Sequence, residues 1–110
     1  MRTCEEIDAL QLRSMLQEME RDIALIDVRT AAEVAQGAIP GARHIPLALL
    51  QFSMEQLTED KPLVFYCRSG SRSAQACAFV TGLGRKNVFN LRGGIIGWAQ
   101  TGHPIAPMLN

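Results

Sequence analysis

Leu63 to Phe79 reads LVFYCRSGSRSAQACAF. Four apolar residues lead into a cysteine, a burst of small and cationic residues follows, and the run then turns amphipathic. LVFY is short and continuous, as suits a strand covered on both faces. Ser71 or Ser73 can open a helix through AQACAFVTGL, which Gly82 and Gly84 end. A strand, a tight glycine loop and a helix make one βα unit, and Cys67 stands at its corner.

The rest of the chain repeats that rhythm. Asp8 can cap a helix through ALQLRSMLQEME, where Leu12, Met15 and Leu16 fall at helical spacing. IALIDV, Ile23 to Val28, is a second short branched run of strand character, and TAAEVAQGA is a short helix. Pro40-Gly41 forces a turn before a brief strand at Ala42 to Ile45. LALLQFSMEQL reads as a helical piece and NVFNL as a short strand. A glycine pair and a helical turn near Trp98 follow, then an irregular Pro-rich tail over 102–110. Strands separated by helices imply an α/β domain with a parallel sheet and helices on both faces. The 110 residues suit one domain, 1–110, with one core.

Composition narrows the function. Eleven basic residues balance eleven acidic ones, so no global field recruits nucleic acid or an anionic membrane. The apolar runs fall far short of the ~20 residues that span a bilayer. The start carries acids and lacks the apolar core of a signal peptide, so a cytoplasmic protein is expected. Cys4, Cys67 and Cys77 cannot all pair, and their spacing is not that of a zinc site. Neither a disulfide framework nor a metal site is expected. Cys77 reads as core packing and Cys4 as a residue near an exposed terminus.

Cys67 is different. In open α/β sheets ligands bind beyond the carboxyl ends of strands, and a helix start offers unpaired amides and a dipole that favours negative charge. Gly70 lets the backbone curl so that successive N–H groups converge. Arg68 and Arg72 add positive charge beside the pocket. Such surroundings lower a thiol from about 8.5 into the range of about 3.5–7.5, which makes Cys67 a thiolate nucleophile.

The stretch CRSGSR resembles the active-site loop of the rhodanese-like sulfurtransferases, in which a Cys, four residues and an Arg follow one another. DVRTAAEVAQGAIPGA, Asp27 to Ala42, is similar to that family's upstream signature, and LRGGIIGW, Leu91 to Trp98, to its downstream one. The three blocks stand in the family's order and cover about Ile23 to Trp98. The resemblance implies a single domain of three layers around a mostly parallel five-stranded sheet. It also implies a cycle in which Cys67 takes the outer sulfur of thiosulfate or a persulfide and yields it to a thiol or a sulfur-carrier protein. No cofactor is implied. The amides of Arg68, Ser69, Gly70, Ser71, Arg72 and Ser73 would hold the charge on sulfur, with hydroxyl bonds from Ser69 and Ser71. Arg72 would either meet the donor or turn inward to pin the loop. Asp27 and Arg29 read as supports, an acceptor for loop amides and its ion-pair partner.

Two departures bear on this. Ala38 stands where many members have His, a change of local packing. Glu33 stands where some thiosulfate-using members carry a cation, which argues against thiosulfate as the physiological donor. Phosphatases and arsenate reductases of related fold resemble Cys, five residues, then Arg, so the four-residue spacing here favours sulfur over phosphorus. A binding module without activity is the remaining alternative, and the intact Cys67 counts against it. His44 and His103 show no partner spacing.

Overall fold

The computed structural model describes residues 4–18, 23–57 and 60–108. Its elements run β1 (Glu5–Ile7), α1 (Ala9–Glu18), β2 (Ala24–Asp27), α2 (Ala31–Val34) and β3 (Arg43–His44). Two 3-10 stretches follow (Leu47–Phe52 and Met54–Leu57), then β4 (Leu63–Tyr66), α3 (Ser71–Gly82), β5 (Val88–Leu91) and α4 (Gly94–Gln100). The five strands form one sheet in the order β1-β5-β4-β2-β3, and every pairing is parallel.

Strand periodicity sorts the core into two layers. Successive side chains of a strand point to opposite faces. In β4, Leu63 and Phe65, and Cys67 just beyond, join a cluster with Ile26, Ala76, Cys77, Val80, Leu50 and Leu57. Val64 and Tyr66 join the other cluster, with Leu12, Leu25, Ile39, Leu91 and Trp98. So α3 and the 3-10 stretches cover one face, while α1 and α4 cover the other. Both central strands, β2 and β4, are buried at every position, as their continuous apolar runs demand. The site therefore sits at the carboxyl ends of the two best-buried strands.

Three features depart from the sequence reading. β1 was not expected, because its residues, EEI, carry two acids and bury only Ile7; pairing with β5 at the sheet edge, not an apolar pattern, makes it a strand. The helical piece after Pro46 forms two 3-10 stretches broken at Ser53, whose hydroxyl turns back to the Leu49 carbonyl. The helix from Asp8 is capped as expected: Gln11 N donates to Asp8 Oδ1, and Asp8 N donates to Gln11 Oε1. It is described to Glu18, and the expected last two residues lie outside the described ones.

The third departure is a correction. Cys4 and Cys77 form a disulfide across 73 residues of chain, with Cα atoms 5.6 Å apart. Sequence spacing says nothing of this, because the contact arises from tertiary packing: the residue before β1 lies against the cluster that Cys77 enters from α3. Cys77 is core as expected, and Cys4 is half-buried rather than exposed.

Candidate active site

β4 delivers Cys67 to the sheet's carboxyl edge, where the chain must reverse into α3. Gly70 takes φ +112° at the helix N-cap, a left-handed conformation that costs glycine little. The reversal aims donors at the sulfur. Gly70 N lies 3.1 Å from Cys67 Sγ, Ser73 N lies 3.4 Å away, and Ser73 Oγ lies 3.4 Å away. The Ser69 amide adds to the set. Burial by itself raises the thiol's pKa; the hydrogen bonds from Ser73, Gly70 and Ser69 more than offset it and hold Cys67 below its ordinary value. Hydrogen bonds to a charged form favour that form. The residue is fully buried.

The loop rests on the glycine pair. Ile95 N donates to the Cys67 carbonyl at 2.9 Å, and Ile96 N to that of Arg68 at 3.2 Å. Gly94 makes this approach possible: a Cβ there would lie 2.3 Å from the Arg68 carbonyl oxygen. The downstream signature thus braces the cradle from α4.

The two loop arginines separate. Arg72 forms a bidentate pair with Glu33, Nη1 to Oε1 at 2.6 Å and Nη2 to Oε2 at 2.8 Å. This bond is the main reason Glu33 is held down at about 2. Arg72 therefore turns to α2, the orientation of the loop-pinning role, one of the two open to it. Arg68 is exposed and borders a cavity of about 270 Å³ lined also by Arg29, Glu33, Ile95, Ile96 and Ile105. The hydroxyl on the sulfur belongs to Ser73, not to Ser69 or Ser71, which are exposed.

Asp27 and Arg29 form the expected buried pair at the end of β2. Arg29 Nη2 meets Asp27 Oδ2 at 2.6 Å, Nε meets both carboxylate oxygens, and the Arg29 amide donates to Oδ1. Arg29 Nη2 also donates to the Gly37 carbonyl at 2.7 Å. The guanidinium lies over the Tyr66 ring, and the Tyr66 hydroxyl accepts from Ile39 N at 3.0 Å. Burial foremost, then the bond to Asp27, pushes that hydroxyl up. His44 bonds to the Arg29 carbonyl, and His103 stacks on Trp98.

Asn90 was missed. It lies in β5 on the face of Val88, which turns toward α3, and its Oδ1 is 2.5 Å from Ser73 Oγ. The available signal was one polar residue inside the otherwise apolar run VFNL.

The sequence model of the rhodanese-like domain matches residues 8–101. A protein of Allochromatium vinosum named sulfurtransferase is 49% identical over 100 residues, covering 91% of this chain and 92% of its own. The crystal structure of a rhodanese-related protein from Thermoplasma volcanium superposes with a TM-score of 0.81 at 31% identity, covering 94% of this chain and 99% of its own. A rhodanese-like domain protein from Staphylococcus aureus gives 0.78 at 28% identity, covering 86% and 90%. Matched along nearly its whole length, in sequence and in fold, the chain belongs to the rhodanese-like domain family.

Proposed function

We propose that this chain is a sulfurtransferase that carries sulfane sulfur on Cys67, from a persulfide to a thiol. The observation that carries the reading is the convergence of two backbone amides and one hydroxyl on Cys67 Sγ. Relatives bearing the name sulfurtransferase support it. In the first half, the Cys67 thiolate attacks the outer sulfur of the donor. The donor's S–S bond breaks, its inner thiolate leaves, and Cys67 holds an anionic outer sulfur. In the second, an acceptor thiolate attacks that outer sulfur and Cys67 leaves as thiolate. No redox partner is needed, and the kinetics are ping-pong. The acceptor is a small thiol or a cysteine of a sulfur-carrier protein.

The Arg72–Glu33 pair favours a persulfide over thiosulfate as donor. A dianion calls for free cationic charge, and here one of the two loop guanidiniums is neutralised by a bidentate carboxylate. Arg68 remains to attract a donor of lower charge, with Ser69 and Ser71 exposed beside it. No described helix is long and apolar enough to cross a membrane.

Intact-mass measurement after mixing with an organic persulfide tests the reading. The expected result is a gain of one sulfur atom, reversed by reductant and absent in Cys67→Ser. Phosphatase turnover without any sulfur adduct would overturn it in favour of phosphoryl chemistry. Neither adduct nor turnover would leave a binding module.

A further inference from the structure

Asn90 is buried at 1% exposure, and each of its polar atoms has a partner. Nδ2 carries two hydrogens, and two acceptors meet it: Glu6 Oε2 at 3.0 Å and the Gly70 carbonyl at 3.1 Å. Turning the amide over would set its oxygen against both. Oδ1 is therefore committed to Ser73, whose hydroxyl has one proton and two candidate acceptors. These are Asn90 Oδ1 at 2.5 Å and Cys67 Sγ at 3.4 Å. A hydroxyl rotates to suit its surroundings but donates to one acceptor at a time.

We infer that Asn90 is a positioning residue that competes with Cys67 for the Ser73 proton, so that this hydroxyl turns to the sulfur only while the sulfur itself is charged. With a thiolate at position 67, Ser73 donates to Sγ and gives up its bond to Asn90. Once Sγ is bonded to an outer sulfur, it is neutral and a poor acceptor, and the hydroxyl returns to Oδ1. Glu6, on the edge strand, sets the direction of the competition by holding the amide's nitrogen away from Ser73.

Two consequences follow from the thermodynamics of that choice. Because forming the thiolate costs the Ser73–Asn90 bond, the Cys67 pKa stands higher than the cradle alone would set it. Since nucleophilicity falls as thiol pKa falls, the competition keeps the sulfur reactive as well as ionised. Removing Asn90 then gives a more acidic, less reactive thiol. The persulfide half of this account rests on the proposed sulfur transfer, whereas the thiol half does not.

The test is a pH titration of Cys67 alkylation by iodoacetamide, in which the midpoint and the rate at the high-pH plateau are both read. Asn90→Leu is expected to move the midpoint down by about one pH unit, the scale of one hydrogen bond to a charged group. The plateau rate falls with it, about two- to threefold at the Brønsted slope for thiols. Ser73→Ala is expected to move the midpoint up, and adding Asn90→Leu to it to move nothing more. A midpoint that rises in Asn90→Leu, both with and without Ser73, would overturn the inference and leave Asn90 as a brace for Gly70. An unmoved midpoint would also overturn it. Should the leucine variant not fold, Asn90→Ala is read in the same way. Failure of sulfur transfer with the expected midpoints would sink the proposed function and leave this inference standing.

Discussion

The ends of β2 and β4 lie side by side at the same edge of the sheet, and both hold buried polar chemistry of opposite design. At the end of β2, Arg29 and Asp27 satisfy each other, and the surplus donors of the guanidinium go to backbone carbonyls of Gly37 and Glu33. At the end of β4, donors from Gly70 and Ser73 converge on one sulfur, with no cation of the described residues hydrogen-bonded to it. The first cluster is closed: its charge is neutralised inside the fold. The second is open, a ring of donors suited to whatever negative charge arrives. A buried polar cluster points to chemistry when its donors exceed the acceptors the chain supplies, not merely when it is polar and buried.

The contrast breaks cleanly under substitution. Cys67→Ser should abolish sulfur uptake completely, read as loss of the mass adduct, while leaving the melting transition close to wild type. Arg29→Met should do the reverse. It strands a buried carboxylate, a change that costs about 3–5 kcal/mol, seen as a lower denaturation midpoint, while each folded molecule still accepts sulfur. Equal losses of stability in the two variants would erase the distinction.

Smaller effects sharpen it. The Cys4–Cys77 bridge ties the segment before β1 to the helix that builds the cradle, and removing a bridge of this kind costs about 2–4 kcal/mol. Reductant should lower the melting temperature accordingly, and Cys4→Ser should make that temperature insensitive to reductant. Smaller again is the acid response of the Arg72–Glu33 pair. Glu33 is held at about 2, below its ordinary 4.5, so the pair's contribution is present above about 4.5 and lost as pH falls toward 2. Glu33→Gln should flatten that acid limb of stability against pH. It should also raise the relative rate with thiosulfate, because Arg72 is then a free cation beside the loop.

Much of this was legible in the residues. The strand-loop-helix at Leu63–Phe79 and the buried character of LVFY and IALIDV follow from local pattern, and so does the aim of a glycine loop at Cys67. What stayed hidden depended on contacts between distant segments. β1 is a strand only because β5 lies beside it, and Cys4 meets Cys77 only through packing. For Arg72 the residues leave two roles open, and only the fold shows that Glu33 of α2 pairs with it. Asn90 looked like an ordinary strand residue because its partners, Glu6, Gly70 and Ser73, come from β1 and the start of α3. Local propensity carries the frame, whereas the finer electrostatics of the cradle are tertiary.

The most direct measurement is the ultraviolet absorbance of the Cys67 thiolate as pH is raised, taken as the difference between the wild-type protein and Cys67→Ser. A cradle of donors stabilising negative sulfur predicts ionisation centred below the ordinary thiol value of about 8.5, unchanged when Arg68 is replaced by alanine. A midpoint at or above that value would contradict the account, since a buried thiol without effective donors titrates high.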